Sequence, residues 1–352
     1  RMTRAVEEMV QRELSVALVG CGGIGRDHIE NVNNTPGVRL VATVDLDEAA
    51  ARRLGEQGGA DYWTSDFDRA LADESIEAIL VGTTHHTHTD LTLQALSAGK
   101  HVFVEKPPSM TIAEAKRVQQ ASYESGLHVM SGWWFKHSPI TKRLREGIRR
   151  PRTILFTCRI GQTDPRTGAP HSSDPYARNG ILDVAGYNLH WIWHVMRSQP
   201  VEVMAMGLDH AASNTSSILI QFENGGMADS ITGHMGMGGI LSKHYWEVGA
   251  EEMSASSFRF TNLVFDGTDE PGIAENVYRT GFHGQLAMFA ELVLEGGRNR
   301  MDAWEANVPT VIFEKALESM RSRRAVPVEM EKEFFLPDGR LPDSIAQFGD
   351  VG

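Results

Sequence analysis

Short apolar runs alternate with helix-like segments over the first third of the chain. Buried parallel strands are expected to be continuous apolar runs, and their alternation with helices indicates βαβ units. The pattern predicts strands at residues 15–20, 38–45, 78–83, 101–106 and 127–132. It predicts helices between them at residues 28–33, 47–57, 68–72, 90–98 and 112–125.

From about Thr153 the strand-like runs cluster with few helices between them, which is typical of an antiparallel sheet. Strands are predicted at residues 153–160, 201–208, 216–222, 227–232, 245–250 and 257–265, and helices at 181–197, 283–294 and 304–320. The fold class is therefore α/β: an N-terminal Rossmann-type doubly wound parallel sheet, then a C-terminal α+β domain with an open, mostly antiparallel sheet. We expect an N-terminal extension at residues 1–14, a first domain with the parallel sheet at 15–132 and a second domain with the antiparallel sheet at 133–352.

The composition of the chain limits the kinds of binding partner and the cellular compartment that we expect. The 352 residues carry a formal net charge of −12, which argues against a nucleic-acid backbone as the main partner. Two cysteines cannot form a disulfide framework and fit a reducing compartment. No apolar run approaches the ~18–20 residues that span a bilayer. We therefore expect a soluble, cytoplasmic protein that binds neither membrane nor nucleic acid.

A glycine cluster follows the first predicted strand and fits G-x-G-x-x-G: Gly20, Cys21, Gly22, Gly23, Ile24 and Gly25. Such glycines allow a tight turn and a close approach of backbone to a pyrophosphate, which then lies at a helix N-terminus. Asp45 ends the second strand, where an acid would accept hydrogen bonds from ribose hydroxyls. Glycines that merely form a turn would explain the cluster alone, but the strand, helix and acid together favour dinucleotide binding. Because the Asp45 carboxylate would repel a 2′-phosphate, we expect NAD rather than NADP.

Four segments resemble the Gfo/Idh/MocA oxidoreductases, named for glucose-fructose oxidoreductase and inositol dehydrogenase. They are Gly20–His28, Thr83–His88, Ala95–Lys100 and, above all, Glu105-Lys106-Pro107. The resemblance runs from about Ser15 to Val326. It implies a Rossmann domain followed by an α/β domain whose open sheet mediates a homodimer or homotetramer. It also implies that Thr83, Thr84, His85, His88 and Glu105 contribute to the cofactor site.

Lys106 is the first candidate for catalysis. It ends a predicted parallel strand, where open α/β sheets bind ligands. In a dry site beside a positive nicotinamide ring, desolvation and like charge would lower the pKa of a lysine, which could then exchange a proton with a hydroxyl. From spacing alone, an ordinary strand-end lysine paired with Glu105 is the alternative. The resemblance implies that Lys106 contacts both cofactor and substrate, and we expect a cis bond at Lys106–Pro107.

The helix predicted at residues 181–197 has one polar face, formed by Asp183, Tyr187, His190 and His194. A solvated face would normally carry Lys, Glu or Arg, and none occurs between Asn179 and Met196. A ligand site is therefore favoured, although Asp183 could serve the helix dipole and the others could be hydrogen-bonded core residues.

The family pattern at this helix is Asp-x-x-x-His, and here Asp183 is followed by Tyr187, with His190 three residues later. That substitution leaves Tyr187, His190 and Lys106 as alternative proton carriers. We assign Lys106 as general base for oxidation and Asp183 to orient Lys106 or bind a substrate hydroxyl. Tyr187 and His190 would complete the substrate site, and Lys136 falls where relatives often have arginine.

His85, His86 and His88 also suggest zinc, since imidazoles are good ligands, but no nearby Cys or acid completes a tetrahedral set. No metal is expected. The function predicted is an NAD-dependent dehydrogenase acting on a secondary hydroxyl of a sugar, sugar acid or cyclitol. The alternatives are an enzyme that retains NAD and uses transient oxidation for elimination or epimerisation, and a non-catalytic dinucleotide-binding regulator.

Overall fold

A computed structural model describes residues 12–160, 180–210, 213–234, 243–258, 262–271, 277–297, 299 and 301–330. For residues 159–160, 180–184, 208–210, 213–214, 234, 243, 277–281 and 283 it describes the backbone only. Most of the expected N-terminal extension therefore lies outside the described residues, and so does the side chain of Asp183.

The first sheet has six parallel strands in the order β3-β2-β1-β4-β5-β6. Its strands are β1 (Leu14–Val19), β2 (Val38–Val44), β3 (Tyr62–Thr64), β4 (Ala78–Val81), β5 (His101–Val104) and β6 (Val129–Ser131). The order reverses between β1 and β4, and a crevice forms outside the carboxyl ends of strands at such a point. This is the doubly wound sheet expected from the alternating pattern.

Helices cover both faces of this sheet, which is why its strands are apolar on both sides. The connecting helices are α1 (Gly23–Asn34), α2 (Glu48–Gly58), α3 (Phe67–Ala72), α4 (His88–Ser97) and α5 (Ile112–Ser125). Apolar residues of α1 and α2 share one core with Val16 and Leu18, whereas those of α3, α4 and α5 pack on the face of Ala17 and Val19.

Within the part of the chain that the structure describes, the second sheet has nine strands in the order β14-β13-β12-β11-β7-β10-β9-β8-β15. They are β7 (Pro151–Ile160), β8 (Pro200–His210), β9 (Ser213–Phe222), β10 (Met227–His234), β11 (Lys243–Ala250), β12 (Ser254–Phe258), β13 (Val264–Phe265), β14 (Thr268–Asp269) and β15 (Val326–Pro327). Only β7 and β10 pair in parallel; the other neighbours are antiparallel. The mostly antiparallel sheet expected for the C-terminal part is therefore confirmed.

One face of the second sheet packs against helices and the other is open among the described residues. The remaining helices are α6 (Pro139–Gly147), α7 (Gly180–Met196), α8 (Val277–Glu295) and α9 (Ala303–Ser322). Residues of α7 and α9 share a core with the inward side chains of the strands. On β8, Val203 and Ala205 are buried while Met204 and Met206 are 45% and 72% exposed, the period-two alternation of a sheet with one covered face.

The chain path differs from the pattern-based prediction in several details. Residues 257–265 do not form one strand, because Ala255 pairs with Phe265 and the chain reverses between them. Oδ1 of Asn262 accepts from the backbone N–H of Phe258 and so satisfies the end of β12. The three-residue strand β3 and helix α6 were not predicted; β3 is too short to give a periodic signal.

The two sheets meet through helix α8 and a tryptophan. Leu286 and Phe289 of α8 pack into the same core as α1 and α2, so a late segment of the chain covers the parallel sheet. Trp133, fully buried after β6, donates from Nε1 to the Ala306 carbonyl of α9 at 2.8 Å. Its ring lies against Gly186 of α7, where an added Cβ would be 2.4 Å from Cη2.

The chain has no helix, within the part that the structure describes, that is long and apolar enough to cross a membrane.

Replacing Gly186 with alanine should lower the free energy of unfolding by about 1–3 kcal/mol, because the new methyl group overlaps Trp133. Gly284→Ala in α8 is the matched control, since no described atom lies within 4 Å of the position that its new methyl group would occupy, and helix propensity there should add about 0.5–1 kcal/mol. Urea unfolding measures both. Equal stability of the two variants would contradict the packing described here.

Candidate functional site

The carboxyl edge of the parallel sheet brings four chain segments together. The ladder continues one residue past the strands, with Glu105 N donating to Val81 O at 2.9 Å and Gly132 N donating to Val104 O at 3.1 Å. Gly20 and Gly82 extend β1 and β4 in the same way. The glycine loop, the loop after β4, the Lys106 turn and the segment after β6 therefore meet at one edge.

The glycine loop has the geometry of a phosphate-binding turn. Gly20 has φ +98°, and a Cβ there would lie 2.5 Å from the Gly82 carbonyl oxygen; a Cβ on Gly25 would lie 2.4 Å from that of Gly20. At Gly22 and Gly23, in contrast, no described atom lies within 4 Å of an added Cβ. Helix α1 begins here without a side-chain cap among the described residues, so its first amides face the open space. A dinucleotide pyrophosphate fits these features.

The Asp45 side chain contacts the backbone of the glycine loop. Its Oδ2 accepts from Cys21 N at 2.7 Å and its Oδ1 accepts from Asp47 N at 2.9 Å, and the carboxylate stays partly exposed. Burial, together with the charge of Asp45, raises the pKa of the Cys21 thiol to about 12, so the thiol is neutral. A partly exposed, backbone-held carboxylate can accept further bonds from ribose hydroxyls.

The Lys106 turn is held by His88. The Lys106–Pro107 bond is cis, as expected. The ring nitrogens of fully buried His88 lie 2.8 Å from the Pro107 oxygen and 3.1 Å from the Thr83 oxygen. Burial lowers the pKa of His88 to about 4, although both carbonyl contacts act in the opposite direction. His88 therefore fixes the turn to the loop after β4 instead of being exposed to a ligand.

The remaining residues of that loop are more accessible. The hydroxyls of Thr83 and Thr87 lie 2.7 Å apart, and Thr84 is exposed. The ring of partly buried His85 makes an edge contact with His88, at 5.7 Å between centroids. Thr83, Thr84 and His85 therefore lie, less buried than His88, at the same sheet edge as the glycine loop.

Tyr187 of α7 lies under the Lys106 ammonium, with Nζ 4.9 Å from the ring centroid. Its hydroxyl accepts from Nε1 of Trp134 at 3.1 Å. The ring is packed by Trp133 and Phe135, at centroid distances of 5.2 and 4.7 Å. The structure thus brings Lys106 and Tyr187, far apart in the sequence, into one contact of the cation–π type.

His190 and Lys136 are both buried, with 1% and 6% of their surface exposed. Each contacts Oε1 of Glu305 in the first turn of α9: His190 Nε2 lies at 3.3 Å, and Lys136 forms an ion pair. Burial lowers the pKa of His190 and of Lys136. Burial raises the pKa of Glu305, but the charge of Lys136 and the bond from His190 outweigh it and hold that pKa below its ordinary value.

These contacts revise the expected polar face of α7. His190 stacks on Trp133 at 5.7 Å and 10°, and His194 accepts from Nη1 of Arg145 at 2.7 Å. Both histidines are therefore enclosed by other elements and are not exposed to solvent. The backbone of Asp183 lies in the first turn of α7, one turn before Tyr187, and its side chain lies outside the described part.

Sequence reasoning missed Glu305, Trp134 and His28. Glu305 is the one acid in the apolar first half of α9, and an isolated acid in such a helix is a usable signal. His28 lies one turn after Ile24 on α1, and its Nε2 is 3.1 Å from Oε1 of Glu105. Glu105 itself is 5% exposed, so its carboxylate turns into the protein and not toward a cofactor.

Within the described ranges, no group of three or more His, Cys, Asp or Glu side chains is arranged to hold a metal ion. His85 and His88 are neighbours, but His88 has both ring nitrogens directed at carbonyl groups.

Comparison with known proteins agrees with this architecture. Residues 14–133 match the GFO_IDH_MocA family model, an oxidoreductase family with an NAD-binding Rossmann fold. The inositol 2-dehydrogenase of Rubrobacter xylanophilus is 27% identical in an alignment 355 positions long, which covers 90% of this chain and 93% of that protein. The uncharacterized oxidoreductase YrbE of Bacillus subtilis is 25% identical over 232 residues, and that match spans 62% of this chain and 66% of YrbE. The structure of a levoglucosan dehydrogenase in complex with NADH and L-sorbose superposes with a TM-score of 0.79 at 18% identity, over 91% of this chain and 100% of that one, a likeness of fold.

His88 should make the protein less stable in mild acid. Because its folded-state pKa is about 4 and its ordinary value is near 6.5, the unfolded chain binds the extra proton between those values. Stability is therefore lost as pH falls from about 6.5 toward 4, by up to ~1.4 kcal/mol per pH unit. Urea unfolding at a series of pH values should show a smaller slope for His88→Gln than for the parent. His86→Gln, at an exposed position on the same turn, is the control. Equal slopes for all three proteins would refute a neutral, buried His88.

Proposed function

The chain belongs to the Gfo/Idh/MocA oxidoreductase family, and from that premise we propose that it is an NAD-dependent dehydrogenase acting on a polyhydroxylated substrate. The substrate class is a sugar, sugar acid or cyclitol, of which one secondary hydroxyl is oxidised or the corresponding ketone reduced. The observation that carries the proposal is the Lys106 ammonium, 4.9 Å from the Tyr187 ring at the sheet edge that also holds the glycine loop.

The cofactor site of the proposal consists of the glycine loop and Asp45. The amides at the start of α1 would hold the pyrophosphate beside Gly22 and Gly23, and Asp45 would accept from the ribose hydroxyls. The same carboxylate disfavours the 2′-phosphate of NADP. Thr83, Thr84 and His85 would line the nicotinamide end. NAD, when bound, supplies a hydride acceptor, and the protein supplies positioning and proton transfer.

Lys106 is the proposed general base. It takes the hydroxyl proton of the substrate while the hydride leaves the same carbon, and it returns the proton in the reverse direction. Tyr187 steadies the ammonium that forms, because the ring face attracts a cation. Asp183, one helical turn earlier on α7, is proposed to orient Lys106 or bind a neighbouring hydroxyl.

His190 and Lys136 are buried beside this site and stabilise the elements that carry it. Since both are buried on Glu305, we assign them to the placement of α7 and of the Trp133–Trp134 segment. Their effect on the substrate site is indirect: they place the segments that hold Tyr187, whose ring is packed between Trp133 and Phe135.

Replacing Lys106 with methionine should lower kcat by about 10²–10⁴-fold, because the general base is lost. NAD affinity should stay within about twofold, since the glycine loop and Asp45 are untouched. Absorbance of NADH across a panel of sugars and inositols identifies the substrate, and calorimetry measures NAD binding. Lys142→Met, at an exposed position on α6, is the control. Undiminished turnover in the Lys106 variant would remove Lys106 from the mechanism.

The open face of the nine-stranded sheet supports a second part of the proposal, assembly into a homodimer or homotetramer. It exposes apolar side chains on β8, β9 and β10: Met204, Met206, Leu219, Met227 and Ile231. A group of exposed apolar side chains on one sheet face is typical of a protein–protein interface.

A charge introduced on that face should dissociate the assembly. Sedimentation equilibrium is expected to find a dimer or tetramer for the parent and a smaller species for Met206→Glu, because an unpaired carboxylate would be buried. Ser65→Glu, at an exposed loop position before α3, should leave the assembly intact. A monomeric parent would contradict this assignment of the sheet face.

A further inference from the structure

A buried acid and a buried histidine lie directly beneath the Lys106 turn. Glu105 and His28 are 5% and 1% exposed, and His28 Nε2 is 3.1 Å from Glu105 Oε1. Oε2 of Glu105 accepts from the backbone N–H of Lys106 at 3.3 Å. Among the described residues, neither ring nitrogen of His28 nor Oε1 of Glu105 has a partner in hydrogen-bond geometry, so His28 and Glu105 are held together by a close polar contact between two buried groups.

The space for this pair is left by two glycines. A Cβ on Gly132, after β6, would lie 3.2 Å from both carboxylate oxygens of Glu105. A Cβ on Gly82, after β4, would lie 3.4 Å from Cδ2 of His28. The strands on either side of the pair thus end in residues without side chains, and the carboxylate and imidazole occupy the room between them.

Two aromatic rings pack against the histidine. The ring of Phe103 lies 5.9 Å from that of His28, and the ring of Phe282 from α8 lies 5.5 Å from it. A lone carboxylate in such a place would be costly, whereas one paired with a basic group is tolerated. Burial raises the pKa of Glu105, but His28 and the charge of Lys106 outweigh it and hold that pKa below its ordinary value. Glu105 is therefore an anion.

The pair connects two functional segments. His28 is on α1, the helix whose N-terminus forms the glycine loop, and Glu105 precedes Lys106. We propose that His28 and Glu105 are positioning residues that fix the Lys106 turn to the glycine-loop helix, so that the ammonium and the bound cofactor keep a constant separation. The inference rests on the proposed role of Lys106. It removes Glu105 from the groups that contact the cofactor and gives it an indirect role.

Three variants test the pair: Glu105→Gln, which keeps the shape and removes the charge, His28→Asn, and the double variant. With the polyol that the parent oxidises fastest, each single change should lower kcat on the order of 10- to 100-fold, because small misplacements of catalytic groups are that costly. KM for NAD should change by less than about threefold, since the phosphate and ribose contacts remain. The double variant should be no slower than the slower single variant, because both remove one interaction.

His101→Asn is the matched control. His101 begins β5, the strand that Glu105 follows, and lies at its opposite end, so kcat should not change. Gly132→Ala is a second test that keeps both side chains and only displaces the Glu105 carboxylate; it should lower kcat in the same direction. Unchanged kcat in Glu105→Gln and Gly132→Ala, a loss confined to KM for NAD, or additive losses in the double variant would each overturn the inference.

A measurement without turnover separates this inference from the proposed function. Lys106 acetylation by acetic anhydride, followed by mass spectrometry, should be suppressed by NAD in the parent. In Glu105→Gln and His28→Asn that protection should largely disappear although calorimetry still detects NAD binding. Protection retained in both variants would overturn the positioning role, and so would its absence in the parent. Protection in the parent without oxidation of any polyol would instead reject the proposed substrate class and leave the pair supported.

Discussion

The contact between the Lys106 ammonium and the Tyr187 ring joins the parallel sheet to helix α7, and the candidate site depends on it. A contact of this type contributes only about 0.5–2 kcal/mol, so it cannot hold two segments together by itself. Other contacts fix the position of each of the two residues. On one side, His88 fixes the carbonyl of Pro107; on the other, Trp134 donates to the Tyr187 hydroxyl.

Buried charge is distributed around this contact in two separate sets. Glu105 is paired with His28 below the lysine turn, and Glu305 is paired with Lys136 and His190 behind Tyr187. Each carboxylate joins elements that are remote in sequence. Removing one partner from such a set leaves an uncompensated charge, so each set favours a single arrangement of its elements. These pairs orient the groups of the site without a ligand, and groups that are already oriented lower the cost of orienting reactants.

The fold followed from the sequence because its signals are local. Continuous apolar runs ending in glycine or acid predicted the parallel strands, and the exposed alternation on β8 agrees with an open antiparallel sheet. The cis bond at Lys106–Pro107 was also anticipated. What the sequence did not reveal depends on distant pairs. Nothing near His190 in the chain indicates Glu305, and Glu105 gave no sign that it turns inward to His28, because only the packing of α1, α7 and α9 brings those partners together.

A crystal structure of the chain with NAD and its polyol substrate tests the central claim most directly. The account predicts that Lys106 Nζ lies within about 3.2 Å of the reacting hydroxyl oxygen, the reach of a general base, while the same nitrogen stays over the Tyr187 ring. A lysine turned toward bulk water, with the reacting hydroxyl bound to another group, would contradict it.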